Sequence, residues 1–257
     1  MEKELLSQER INELRNLKEY VNNLKISKDY SNRLLLEQEK IVLEINDSKV
    51  SNWFVKNVKG ANIKAHGNVI INNKDLEENY KYAKEIPGSD IKAHGNVIID
   101  SKNLEYNYKF AKDIKGADIK AHANVIIDSK NLEYNYKFAK DIKGSDIKAH
   151  GNVIINSKNP YYNYYFARDI NGIDIKPFEQ VVLDSKELSC NLFFAKYVPN
   201  ANIKAHEQII LDSNDTYYNK RWIKEINTNV LEHSKVIADN LTAEDKYKRL
   251  LQRLKRL

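Results

Sequence analysis

The chain has 257 residues, a net charge of +6 and 30% charged residues, which is ordinary for a folded soluble protein and a weak signal for nucleic-acid binding. Its one cysteine, Cys190, excludes an internal disulfide and a cysteine zinc cluster, so we expect a reducing, cytoplasmic setting. The charged N-terminus (MEKELLSQERINELR) predicts no secretory signal, and no stretch approaches the roughly 18 apolar residues of a membrane span.

Residues 1–35 are predicted to form an N-terminal helical cap. Ile11, Leu14, Val21 and Leu24 keep a coiled-coil-like spacing over two heptads. A solenoid needs a cap over its first repeat, whereas a coiled coil shows three or four heptads. We interpret the segment as a cap and keep a dimerising coiled coil as the alternative.

A 28-residue repeat dominates residues 36–226. The phrase IKAHGNVII recurs and contains a histidine column at His66, His94, His122, His150 and His206. Phe178 occupies the same position in the one remaining unit. An unbroken aromatic column has the same spacing, at Phe54, Tyr82, Phe110, Phe138, Phe166, Phe194 and Trp222. Repeats of 20 to 50 residues are typical of solenoids.

Each unit is predicted to contain two short helices, here called the A and B helices. In the A helix LEYNYKFAKDI, Leu104, Tyr108 and Ala111 share one face, as an amphipathic helix requires. A column suited to a left-handed backbone follows the A helices, at Gly60, Gly88, Gly116, Gly144, Gly172 and Asn200. A column of capping residues opens the B helices, at Asn62, Asp90, Asp118, Asp146, Asp174 and Asn202.

These features predict an all-α fold, a right-handed α-solenoid of about six to seven two-helix repeats with helical caps at both ends. The alternative is a leucine-rich-repeat horseshoe with a strand in place of each B helix, because NVIID is short and β-branched. The spaced leucines of that class are missing, and the later unit KPFEQVVLDS looks helical. We therefore favour the all-α interpretation.

The segments YYFARDINGIDI (164–175) and NWFVKNVKGANI (52–63) carry a resemblance to known repeats. The chain resembles bacterial helical-repeat proteins of the HEAT-like and leucine-rich-repeat-variant type, and bacterial and phage proteins with "YFARDVKGANI"-like repeats. The resemblance covers about two thirds of the chain and implies a helical-repeat architecture. It is nearly silent on function, because solenoids bind many kinds of partner.

Residues 227–257 leave the repeat and are predicted to form a C-terminal helical cap. Thr242 to Asp245 resemble a capping box that would begin a basic amphipathic helix, KYKRLLQRLKRL. The candidate binding residues of this basic tail are Lys248, Arg249, Arg253, Lys255 and Arg256. Such a helix binds membrane surfaces, nucleic acid or acidic partners, or serves as a cap with a solvated basic face.

The main candidate site is a repeated pair of columns on the B helices, which we call the Lys/Asn ladder. Its lysines are Lys64, Lys92, Lys120, Lys148, Lys176 and Lys204. Four residues later, on the same helix side, come Asn68, Asn96, Asn124 and Asn152, continued by Gln180 and Gln208. Small residues between them (Gly67, Gly95, Ala123, Gly151) are expected to leave the backbone accessible. The ladder fits a phosphate backbone or an acidic protein surface, or is simply a solvated face.

Three other columns are interpreted as architectural. Tyrosines at 80, 108, 136 and 164, and two residues earlier in the unit, are candidates for base stacking or a protein interface, or for packing with the hydroxyl at a rim. The histidines are too far apart in neighbouring helix layers to share a metal. An asparagine in every A helix predicts an inter-repeat hydrogen-bond ladder, at Asn79, Asn107, Asn135, Asn163, Asn191 and Asn219.

The sequence therefore predicts a binding scaffold rather than an enzyme. Catalysis needs unlike groups that converge on one point, and near-identical units lengthen a surface instead. No catalytic motif, metal site or cofactor site is predicted. A protein partner bound along the B helices is the favoured function, and a nucleic-acid-binding solenoid that uses the ladder and the basic tail is the alternative.

Overall fold

The computed structural model describes residues 36–254, except for the side chains of 241–246 and 249–254. Fifteen α-helices and no strand occupy this range, which confirms the all-α prediction and rules out the horseshoe alternative. The predicted cap of residues 1–35, residues Lys255 and Arg256, and the side chains of Arg249 and Arg253 lie outside this description.

The helices alternate between A and B positions along the chain. A short helix, α1 (Glu39–Ile45), precedes the first A helix. The A helices are α2 (Ser48–Asn57), α4 (Leu76–Glu85), α6 (Leu104–Asp113), α8 (Leu132–Asp141), α10 (Pro160–Asp169), α12 (Leu188–Tyr197) and α14 (Thr216–Glu225). The B helices are α3 (Ile63–Asn73), α5 (Ile91–Asp100), α7 (Ile119–Asp128), α9 (Ile147–Asn156), α11 (Lys176–Ser185) and α13 (Ile203–Asp212). The last helix is α15 (Val230–Leu254).

The described part of the chain forms two compact units that divide between Val125 and Ile126, within α7. Inside each unit, an A helix packs against the B helix that follows it and against the next A helix. Packing between consecutive neighbours is typical of a solenoid. The aromatic column supplies the centre of each repeat's core, with no side chain more than 1% exposed, at Phe54, Tyr82, Phe110, Phe138, Phe166, Phe194 and Trp222.

The predicted caps begin the B helices at five of six positions. Asp90 Oδ1, for example, accepts from Ala93 N at 3.0 Å, three residues into the helix. Asp174 is the exception, and the prediction that it caps its helix in this way is wrong. The residue three positions later is Pro177, which has no N–H to donate. Asp174 Oδ1 accepts instead from Lys176 N at 3.1 Å, and α11 begins one residue later than the other B helices.

Two columns of left-handed residues make the turns. The predicted glycine column after the A helices is confirmed, with Gly116 at φ +91° and Asn200 at φ +62°. A second column follows the B helices and was not predicted. It adopts φ 54° to 55° at Lys74, Lys102, Lys130, Lys158, Lys186 and Asn214. A β-carbon is unfavourable in this conformation by roughly 1 kcal/mol, so the lysines are strained.

The C-terminal segment differs from its prediction in two ways. Thr242 does not begin a helix, because α15 continues without interruption from Val230 to Leu254. The stretch contains no Gly or Pro that would end the helix. The repeat pattern also extends further than expected, since His233 stacks on Trp222 at 5.7 Å as the other histidines stack on their aromatics. Within residues 36–254 no helix has both the length and the apolar character that membrane crossing requires.

Candidate binding surface on the B helices

A buried hydrogen-bond network fixes which side of four of the six B helices, α5, α7, α9 and α13, faces inward. Asn107 Nδ2 donates to Ile98 O of the preceding B helix (3.0 Å) and to Asn103 O (2.8 Å). Because both carbonyls accept, Asn107 Oδ1 is the acceptor for His122 Nδ1, 2.8 Å away. The predicted asparagine ladder is therefore confirmed as an inter-repeat network, and it includes the histidine column.

The central histidines are packing residues with bare Nε2 atoms. His94, His122 and His150 are fully buried, and no hydrogen-bond partner reaches their Nε2 atoms within the described residues. Burial lowers the pKa of each of these three imidazoles to about 4. They are neutral near pH 7, and each carries its proton on Nδ1. Within residues 36–254 no group of three or more His, Cys, Asp or Glu residues is arranged to hold a metal ion.

With the histidines inward, every member of the Lys/Asn ladder is exposed on the opposite side of its B helix. The first unit presents Lys64, Lys92 and Lys120, and the second presents Lys148, Lys176 and Lys204. Across the described chain, none of these six amino groups has a hydrogen bond or an ion pair with another residue. The amides of Asn68, Asn96, Asn124 and Asn152 are likewise exposed and unbonded there.

The ladder lysines also oppose the helix dipole. Each is the first or second residue of its B helix, as Lys92 is in α5 and Lys176 is in α11. A cation in the first turn is disfavoured by roughly 0.3–1 kcal/mol. Every A helix has a basic residue in its last turn, where a cation is favoured, as Lys112 is in α6. The B-helix lysines therefore do not serve helix stability.

On the A helices, by contrast, cations and anions pair between neighbouring repeats. Lys84 Nζ lies 2.8 Å from Asp113 Oδ2, and the Tyr80 hydroxyl donates to the same carboxylate. Hydrogen bonding with Lys84 lowers the pKa of Asp113. Equivalent ion pairs join consecutive A helices: Lys56–Glu85, Lys140–Asp169 and Lys196–Glu225. The tyrosines at 80 and 136 thus act in inter-repeat packing with their hydroxyls at the rim.

The sequence suggested that the small residues of the B helices leave the backbone accessible. This prediction is wrong, because these residues are buried. Gly67 and Gly95 are buried, and a Cβ on Gly67 would lie 3.3 Å from the Tyr82 ring and 3.4 Å from His94 Nε2. Glycine is present because the next repeat packs closely against this position.

Glutamate replaces the small residue in the outer repeats, at Glu39, Glu179 and Glu207. Glu179 Oε1 accepts from Asn202 N (2.6 Å) and lies 3.2 Å from His206 Nε2. These carboxylates, which are buried at Glu179 and Glu207 and half-buried at Glu39, were missed, although their break from the small-residue column was visible in the sequence. They complete the histidine contacts that the central repeats leave open.

The basic tail is described only in part. Lys248 is exposed, and Tyr247 beside it is 60% exposed. The side chains of Arg249 and Arg253 and the residues Lys255 and Arg256 lie outside the description, so the role of the tail stays a prediction.

No protein-family model, curated protein or solved structure matches this chain.

Proposed function

We propose that the chain is a non-enzymatic scaffold that binds an acidic protein surface along its B helices. One observation carries the proposal: in both units the ladder lysines are exposed, have no ion-pair partner within the described residues, and oppose the helix dipole. A partner with spaced carboxylates would supply the missing counter-charges. If the ladder were only a solvated face, there would be no reason for a lysine to oppose the helix dipole at the start of every B helix.

The alternative, a nucleic-acid-binding solenoid, would use the same ladder and the basic tail. Single-stranded nucleic acid is usually held by cations together with exposed aromatic side chains on which bases stack. The largest exposed aromatics of the repeats are Tyr161, Tyr197 and Tyr217, and all three lie on A helices. None of the described B helices carries an exposed aromatic side chain. This separation favours a protein partner.

The resemblance to HEAT-like and leucine-rich-repeat-variant proteins of bacteria and phages supports a narrower version of the proposal. In that version the chain is a bacterial or phage inhibitor or adaptor that acts in the cytoplasm. Cys190 is a buried free thiol, and burial raises its pKa to about 12, so the thiol stays protonated and unreactive.

The proposal is tested by capturing the tagged chain from lysate of its native host, with and without nuclease. A protein partner should survive nuclease and be lost from the charge-reversed variant Lys92→Glu/Lys120→Glu/Lys148→Glu. Recovery of nucleic acid, with proteins lost on digestion, would support the alternative. For that alternative, log K should fall with log salt at a slope near −0.7 to −0.9 per phosphate contact.

A further inference from the structure

A pocket of about 460 Å³ opens in the second unit, beside α9, α11 and the turn that precedes α11. This volume lies in the range of sites that bury a ligand or a large side chain. Its apolar lining comes from Ile147, Ile155, Phe166, Ile173, Pro177 and Phe178. The pocket lies on the B-helix side of the repeat, where Lys148 and Asn152 of the ladder also line it.

The repeat that forms this pocket departs from the pattern at Phe178, which replaces the histidine. The Phe178 ring stacks on Phe166 at 5.0 Å, where the other repeats stack an imidazole. Phenylalanine has no N–H, so the buried Asn163 Oδ1 has no hydrogen-bond partner among the described residues. An unsatisfied buried acceptor destabilises a fold by roughly 1–3 kcal/mol.

Pro177 is the second departure, in the position that other B helices give to alanine. It removes the N–H that the Asp174 side chain would accept, and α11 loses its ordinary cap. Each departure removes a hydrogen bond that the neighbouring repeats make, and both side chains line the pocket. Local rules that are broken without a gain in stability are expected at functional positions.

The rim of the pocket determines the charge of its occupant. Lys148 is exposed and unpaired within the described chain, and Asn152 presents a free amide one turn later. Asp174 also lines the pocket, and its carboxylate would repel an acid. A ligand therefore fits best with an apolar group inside and an anion at the Lys148 end.

We propose that this pocket is the anchor site for a protein segment carrying a bulky apolar side chain beside a carboxylate. The apolar side chain fills the pocket and the carboxylate pairs with Lys148. Buried apolar anchors with charged neighbours dominate the affinity of many interfaces. This inference rests on the proposed function, because it assigns the chemistry of the partner bound by the same surface.

The test is a selection of random twelve-residue peptides on the immobilised full chain. We expect enriched peptides to share a Trp, Phe, Leu or Ile flanked by Asp or Glu. Replacing that anchor by Ala should weaken binding at least about tenfold. Two pocket variants should lose the same peptides: Pro177→Ala/Phe178→His, which restores the repeat pattern and should raise stability, and Ile155→Glu, which puts a carboxylate into the lining.

The outcomes separate this inference from the broader proposal. One contrary outcome is enrichment of acidic peptides that share no apolar residue, that no longer bind Lys148→Glu, and that still bind both pocket variants. This outcome would overturn the anchor site and leave the ladder proposal standing. Peptides whose binding is unchanged by Lys148→Glu and by the pocket variants would count against both the anchor site and the ladder proposal. The absence of any enriched peptide would count against both as well. We expect the selected peptides to lose binding both to the pocket variants and to Lys148→Glu.

Discussion

Asn107 Oδ1 and His122 Nδ1 form a fully buried 2.8 Å hydrogen bond between α6 and α7. Asn107 also donates to the end of α5, so one side chain joins three consecutive helices. This bond sets the rotation of α7 and thereby turns Lys120 and Asn124 to solvent. The inward network and the outward ladder are two sides of the same helix.

We expect Asn107→Leu to destabilise the fold by about 1–3 kcal/mol, because it leaves the His122 Nδ1–H buried without a partner and removes one of the two side-chain donors to the Ile98 carbonyl. Chemical denaturation measures the change. Asn96→Ala is the matched control, since this exposed amide should change the free energy of unfolding by no more than about 0.5 kcal/mol. Equal effects of the two substitutions would contradict the network's role.

Stability should fall on mild acidification. Burial holds the pKa of His94, His122 and His150 at about 4 in the folded chain, below the value near 6.5 of an unfolded histidine. The neutral imidazoles therefore contribute stability that is fully present above pH 6.5 and is lost as pH falls through 4. The linkage between protonation and folding makes the loss in the free energy of unfolding about 3 kcal/mol for each histidine. Denaturation midpoints at pH 7, 5.5 and 4.5 test it, and a flat profile would refute it.

Lys102→Gly should stabilise the chain by about 1 kcal/mol. Lys102 lies at φ 55°, where glycine has no steric penalty. The opposite sign is expected for Lys109→Gly inside α6, where glycine is unfavourable by about 1 kcal/mol and the contact with Glu105 is also lost. Thermal unfolding of the two variants compares them, and a destabilised Lys102→Gly would show that the turn is not strained.

The two aspartates Asp146 and Asp174 should respond differently to alanine. Asp146 accepts from Ala149 N at 2.9 Å and caps α9, so Asp146→Ala should reduce stability by about 1 kcal/mol. Asp174 bonds only the first N–H of α11, and Asp174→Ala should matter less. Denaturation curves that show a larger loss for Asp174→Ala would contradict the displaced cap.

Much of the fold follows from the sequence, because each repeat restates the same local rules. Gly116 marks a left-handed turn and Asp90 a helix start through the preferences of single residues. The displaced cap at Asp174 had a readable signal in Pro177. The strained turn at Lys102 had none, since lysine has no preference for the left-handed region. The predicted right-handed sense of the solenoid stays a prediction.

The candidate surface was predictable as a set of columns but not as a charge arrangement. The lysine column predicts exposure, yet the sequence does not show that A-helix lysines such as Lys84 pair across repeats while Lys92 remains unpaired within residues 36–254. The role of Gly67 was misjudged for the same reason: a small residue suits either access or close packing, and the neighbouring ring decides. The pocket beside Phe178 likewise depends on contacts between helices.

The most direct measurement compares two triple variants for binding to the protein recovered from nuclease-treated lysate. One reverses the ladder at Lys92, Lys120 and Lys148; the other reverses the turn lysines Lys102, Lys130 and Lys158. Both change the net charge equally, and the ladder variant should be at least as stable as the unmodified chain, because it removes cations from helix N-termini. The account predicts that the ladder variant weakens binding at least about tenfold and the turn variant less than about twofold. Equal weakening by both, or unchanged binding by the ladder variant, would contradict it.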